Sequence, residues 1–247
     1  MNQQTLIMDL DDTLIHCSKY FKESKSLFAD LMLEWFQFTT TKEDILQKQL
    51  EIDLKNVEEF GLHSSLYPES LVLTYKYFCV RYGRRINESE MEQVLNIGQR
   101  VFQIDVQPYP YLYEVLEKLK VDGHKLCLFT GGDEKNQRRK IDQLGLEHYF
   151  EERVFIYEHK NSTALQFVLD EIETDKKSTW MIGNSLKTDI KPAIELGINA
   201  IHIPSEIEWS YNIVDIEMDP NGTLAELQSL LQLPEYLRDY AFYQVAK

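Results

Sequence analysis

Leu6-Ile7-Met8-Asp9-Leu10-Asp11-Asp12-Thr13-Leu14 decides the fold of this chain. The apolar run predicts a buried strand. Three carboxylates follow within four positions, a poor choice for stability alone, because like charges repel and leaving water is costly for each. In open α/β sheets the carboxyl ends of the strands are where ligands bind. An acidic cluster at such an end calls for a cation. A turn or capping role for Asp9 and Asp11 is the plain alternative, but a cap takes one acid, not a cluster.

Downstream, the pattern turns helical for a long way. Phe28, Leu31, Met32 and Trp35 form one helical stripe,. Thr39-Thr40-Thr41 offers caps for a helix over 42–59, Pro68 suits the first turn of a third helix, and Asn87 with Glu90 resembles a capping box for a fourth,. From about residue 105 the rhythm changes. A helix carrying Leu112, Val115, Leu116 and Leu119 and ended by Gly123 is followed by strands over 125–129, 154–156, 179–182 and 200–203, with helices between them. That alternation predicts an α/β core with a Rossmann-like parallel sheet covered by helices. The expected division is an α/β core over 1–15 and 105–247, with a helical insertion over 16–104. The C-terminal leucines Leu224, Leu227 and Leu230 are expected on a last helix.

The ends of these strands gather the chemistry. The first ends in Asp9 and Asp11, the second in Thr130-Gly131-Gly132. Lys160 follows the third, and Gly183-Asn184 with Asp189 follow the fourth. Acids hold a hard cation through oxygen. A hydroxyl, a lysine and exposed amides hold a phosphate. Each residue also has a plainer reading. Thr130 could cap a helix, Lys160 could be a surface lysine, and Asp189 could cap the helix that contains Pro192.

The chain carries 26 Lys and Arg against 41 Asp and Glu, a net charge of −15. Such a balance repels nucleic acid and anionic membranes. Cys17, Cys79 and Cys127 give no disulfide framework or paired metal spacing, and the six histidines show no metal spacing either,. With no signal-like or membrane-length apolar run, the cytoplasm is the expected location. The oligomeric state is left open.

The order of these elements resembles the haloacid dehalogenase superfamily of phosphohydrolases. The first motif, Asp-x-Asp-x-Thr after a strand, is matched from Asp9 to Thr13. The second, a strand ending in Ser or Thr, is matched at Thr130. The third, a lysine some two dozen residues ahead of the fourth motif, is matched at Lys160. The fourth is matched by Gly183 to Asp189, with Asn184 where the family usually has an acid. The insertion falls where members with a helical cap carry theirs.

The resemblance implies a magnesium-dependent phosphatase acting on a small phosphorylated metabolite. Asp9 would be the nucleophile that forms an aspartyl-phosphate, and Asp11 the acid and base. Thr130, Gly131 and Lys160 would bind phosphate. Asp9, Asp11 (through its carbonyl), Asn184 and Asp189 would hold Mg2+. An Asp9 with an ordinary pKa would be ionised at neutral pH, whereas Asp11 would need a raised one. Phosphomutase activity is one alternative. A weak or inactive binding or regulatory protein, motivated by Asn184, is another. The aromatics of the insertion, Phe28, Trp35, Phe36, Tyr75, Tyr77 and Phe78, are expected mainly as core. Arg81, Arg84 and Arg85 are expected in a solvated turn.

Overall fold

The computed structural model describes residues 3–37, 39–216 and 221–245. Its first element, β1 (Thr5–Met8), is buried along its whole length. Four helices follow: α1 (Ser18–Trp35), α2 (Lys42–Phe60), α3 (Leu66–Arg81) and α4 (Glu88–Arg100). Then come α5 (Leu112–Val121), β2 (Lys125–Gly131), α6 (Glu134–Gln143), the single turn α7 (Glu147–Phe150) and β3 (Val154–Tyr157). The rest is α8 (Ser162–Glu171), β4 (Thr179–Gly183), α9 (Lys191–Leu196), β5 (Asn199–His202), β6 (Leu224–Glu226) and α10 (Leu233–Val245). The chain divides into two compact units, Met1–Ser18 with Val106–Lys247, and Lys19–Asp105.

In the first unit the sheet order is β3-β2-β1-β4-β5-β6, and every pair is parallel. Strand alternation sorts side chains between two faces. Ile7, Cys127, Phe129 and Met181 join a core with Leu165, Val168 and Leu169 of α8 and Ala193 and Ile194 of α9. From the same strands Trp180 turns the other way, against Tyr236 and Tyr240 of α10, with ring centroids 6.0 and 4.8 Å away. Helices therefore cover both faces, which makes the core an α/β sheet of the doubly wound type. Because the strands are parallel, the carboxyl ends of β1, β2, β3 and β4 share one edge.

The C-terminal expectation fails. Leu224 lies in β6, Leu227 and Leu230 precede the last helix, and that helix begins at Leu233. Helical leucine spacing is overridden because β5 offers an open edge. Ala200 N donates to the Thr223 carbonyl at 2.8 Å, and Thr223 N donates to Asn199 Oδ1 at 2.8 Å. Gly222 permits this approach, since a Cβ there would lie 2.7 Å from the Ile198 carbonyl oxygen.

The second unit is helical throughout its regular structure. Thr41 caps α2 by accepting from Asp44 N at 3.1 Å, and Asn87 caps α4 by accepting from Ser89 N and Glu90 N,. Phe28, Phe36, Tyr75 and Phe78 are buried, while Tyr77 is 38% exposed, so one of the expected core aromatics faces water. Arg84 is not simply solvated. It forms a two-pronged ion pair with Glu90 and lies over the Phe36 ring, 5.2 Å from its centroid. A polar cluster is buried in the same unit: Gln49 Nε2 donates to Ser70 Oγ at 3.0 Å, and Asp53 is buried beside them.

Candidate active site

The three acids after β1 separate by role. Asp12, at φ +60°, accepts the N–H groups of Cys17 at 2.9 Å and Ser18 at 3.0 Å, together with the Ser18 hydroxyl. It shapes the turn, and Asp tolerates that left-handed geometry through such local bonds. Asp9 and Asp11 turn their side chains to lysines instead, Lys160 and Lys140.

Asp9 is anchored by its N–H to the Ile182 carbonyl at 2.9 Å and is only 5% exposed. Thr13, one helical turn on, donates its hydroxyl to Asp9 Oδ2 at 2.9 Å and accepts from Asn184 N at 3.1 Å. This one hydroxyl ties the first strand's loop to the fourth's. Lys160 Nζ stands 2.5 Å from Asp9 Oδ1 and 2.5 Å from Asp189 Oδ1. All three groups are buried, so Lys160 is no surface lysine. Asn161, its neighbour, caps α8.

Asp189 does not cap α9 either. It sits in a wide π-type turn over Leu186–Ile190, and its Oδ2 accepts from Ser185 N at 2.9 Å. Asn184 is buried at the end of β4. His202 at the end of β5 braces it, with Nε2 3.1 Å from the Asn184 carbonyl oxygen and Nδ1 3.3 Å from Glu226 Oε2.

Thr130 is fully buried on β2, with Gly131 beside it. Thr130 is not the cap of α6, because Asp133 fills that place and accepts from Asn136 N at 2.9 Å. Helix α6 instead returns two polar side chains toward the site. Gln137 Nε2 donates to Thr130 Oγ1 at 2.6 Å and to Asp11 Oδ2 at 3.0 Å. Lys140 Nζ lies 2.8 and 2.7 Å from the two Asp11 oxygens.

The electrostatics correct both charge expectations. Burial raises the Asp9 carboxyl to about 7, with Asp189 pushing the same way and Lys160 opposing. Asp9 is therefore not an ordinary carboxylate. Burial also pushes Asp11 upward, but the ammonium of Lys140 and the amide of Gln137 outweigh it and hold Asp11 below its usual value. The expected rise is reversed by a cation on α6. Lys160 is opposed by burial, yet Asp189 and Asp9 hold its ammonium above the usual lysine value.

Two buried carboxyl groups share one ammonium, so the pocket would carry excess negative charge whenever both are ionised, and the raised Asp9 value reflects this together with burial. Asp189 Oδ1 accepts no hydrogen bond among the described residues beyond that ion pair. Among the described residues no three His, Cys, Asp or Glu side chains converge as a metal cluster. The reason is visible in the residues: Asn184 stands where a third carboxylate would, and Asp11 turns its side chain to Lys140. What the structure brings together is Asp9, Asp189 and the Asn184 amide oxygen, all hard oxygen donors. That donor chemistry suits Mg2+.

Gln137, Lys140 and His202 carry no motif. The signal for the first two is that α6 (Glu134–Gln143) has a single apolar side chain, Ile141, so its inward face had to be polar.

A model of the haloacid dehalogenase-like hydrolases matches residues 3–197. The chain belongs to that family and is an enzyme of its hydrolase class. It is 23% identical over 208 residues to the glyceraldehyde 3-phosphate phosphatase of Methanothermobacter thermautotrophicus, covering 83% of this chain and 87% of the relative. The enzyme of the same name from Methanocaldococcus jannaschii is 22% identical over 237 residues, 94% of this chain and 97% of that one. Among solved structures, a haloacid dehalogenase-like family hydrolase from Xanthomonas campestris superposes with a TM-score of 0.78 at 24% identity, covering 96% of this chain and 91% of that one. The HAD-hydrolase YfnB of Bacillus subtilis gives 0.63 at 19%, over 96% and 99%. At such identities the structural likeness speaks for the fold. No helix among the described residues is long and apolar enough to cross a membrane.

Proposed function

We propose that the protein is a magnesium-dependent phosphatase of a small phosphorylated metabolite, working through an aspartyl-phosphate on Asp9. The observation that carries this is the buried Asp9 carboxylate held 2.5 Å from Lys160 at the carboxyl edge of the central strand. It is supported by the names of the archaeal relatives, which make glyceraldehyde 3-phosphate the first substrate to test.

In this reading Asp9 attacks phosphorus. The new bond is Asp9 Oδ–P, and the bond to the leaving oxygen breaks. Asp11, two residues on, gives that oxygen its proton and then takes one from the water that hydrolyses the acyl-phosphate. Asp9, the Asp11 carbonyl, Asn184 and Asp189 would hold Mg2+, which would supply positive charge to keep Asp9 ionised and screen the phosphate dianion. Lys160, the Thr130 hydroxyl and the Gly131 amide take the phosphoryl oxygens. Lys140 keeps Asp11 as carboxylate in the free enzyme. The approach of a phosphate dianion pushes Asp11 upward and favours its acid form. A second acid at Asp11 also favours phosphoryl transfer over dehalogenation, since halide leaves without a proton. We assign substrate choice to the helical unit, residues 19–105, in the manner of a cap.

The test is release of inorganic phosphate from an aryl phosphate and from a panel of phosphometabolites, with and without Mg2+. Hydrolysis that disappears with chelator and with Asp9→Asn supports the reading. A panel with no turnover above the Asp9→Asn background favours the binding or regulatory role that Asn184 suggests.

A further inference from the structure

We infer that Gln137 is a positioning residue that aims the Thr130 hydroxyl and locks it to Asp11. The inference rests on the proposed reading, in which Thr130 meets a phosphoryl oxygen.

The argument begins with donors. An ionised carboxylate only accepts hydrogen bonds. Gln137 must therefore turn its NH2 toward Asp11 Oδ2, 3.0 Å away. The second proton of that NH2 goes to Thr130 Oγ1 at 2.6 Å. Thr130 now accepts from Gln137, so its own proton points elsewhere. This is its only side-chain hydrogen bond among the described residues. With Oγ1 accepting from Gln137, the hydroxyl keeps its proton for an anion to accept,. A free threonine rotor would have to be ordered when the anion bound.

A second observation shows that the site is built around Gln137. Its side chain is fully buried. Gly132 has φ +144°, and a Cβ there would lie 2.9 Å from Gln137 Cγ and 3.0 Å from Cδ. The second glycine after Thr130 clears the space that Gln137 fills. Lys140, three residues on along α6, fixes Asp11 from the same helix. One helical turn therefore sets both the proposed acid and the proposed phosphate-binding hydroxyl.

The test measures inorganic phosphate binding by calorimetry in Mg2+, with kcat, KM and unfolding midpoint, for the wild type, Gln137→Met, Thr130→Val and the double variant. Met has a similar reach without the donors. Gln137→Met is expected to weaken phosphate about tenfold, the scale of one charge-assisted hydrogen bond. Its unfolding midpoint should stay near that of the wild type. Thr130→Val should cost a similar factor, and the double variant should be hardly worse than either single. Gln137→Glu keeps the shape but would accept the threonine proton, and it should lose phosphate binding even if Gln137→Met folds poorly. Phosphate binding by Gln137→Met or Gln137→Glu that equals the active wild type overturns the inference alone, as do single losses that multiply in the double variant. A wild type that neither binds phosphate nor turns over overturns both this inference and the phosphatase reading.

Discussion

Gly183 has no room for a side chain because of Asp189: a Cβ on Gly183 would stand 2.1 Å from Asp189 Oδ2 and 2.4 Å from its Cγ. The last residue of β4 and the acid of the turn beyond it are fitted face to face. Ser185 N then holds the same carboxylate oxygen at 2.9 Å.

Gly183→Ala should therefore displace Asp189 rather than simply loosen β4. We expect phosphatase activity to fall by about 100-fold or more, the scale of a misplaced catalytic group, and the Mg2+ concentration for half-maximal rate to rise. Titrating Mg2+ against initial rate checks this. An unchanged Mg2+ requirement would remove Asp189 from the metal site.

Asp9→Asn keeps the shape of the nucleophile and removes its charge. Loss of a covalent nucleophile costs about 10⁴-fold or more in kcat. The circular dichroism spectrum should be unchanged, and thermal stability equal to or above that of the wild type without Mg2+, because a costly buried carboxylate is gone. Turnover near the wild-type rate would exclude an aspartyl-phosphate on this residue.

Lys160→Met leaves Asp9 and Asp189 buried without their shared ammonium. The expected loss is about 3 kcal/mol of stability, read from denaturant midpoints in chelator. Mg2+ should restore part of it, because a ligand of the folded state alone stabilises that state. A variant as stable as the wild type, and insensitive to Mg2+, would contradict this charge balance.

The helical unit carries a pH dependence of its own. Burial raises Asp53 to about 6, with Ser70 and Lys25 opposing. Since the folded value lies above the ordinary 3.8, the native form binds more protons than the unfolded chain between roughly pH 4 and 6. Its contribution is fully present below that window and lost as pH rises through it. Asp53→Asn should therefore match the wild type near pH 4 and exceed it at pH 7.5, by up to about 3 kcal/mol at 1.36 kcal/mol per unit. Equal midpoints at both pH values would rule this out.

Much of this was legible because the informative residues are local. Leu6-Ile7-Met8 before Asp9 and Asp11 announces a buried strand with an acidic end, and the order of Thr130, Lys160 and Asp189 after later strands points to the same edge of the sheet. The alternation after residue 105 gives the parallel sheet for the same reason. The misses are tertiary. The spacing of Leu224, Leu227 and Leu230 is helical, but the open edge of β5 claims Leu224. The charge states of Asp9 and Asp11 depend on burial and on Lys140, 129 positions from Asp11, which local pattern cannot see. Gln137 is a surface-type residue in the sequence and a fully buried one in the structure.

The sheet order also sets a timetable for biogenesis. Leu6 pairs with Leu126 on one side and Trp180 on the other, so the strand synthesised first is flanked by two made much later. Helices α2, α3 and α4 pack against sequence neighbours and can assemble meanwhile, while the apolar β1 waits unsheltered. Non-local closure of this kind is slow and exposes sticky segments. A nascent chain stalled before residue 179 would hold its central strand with one side bare, a natural client for a holding chaperone.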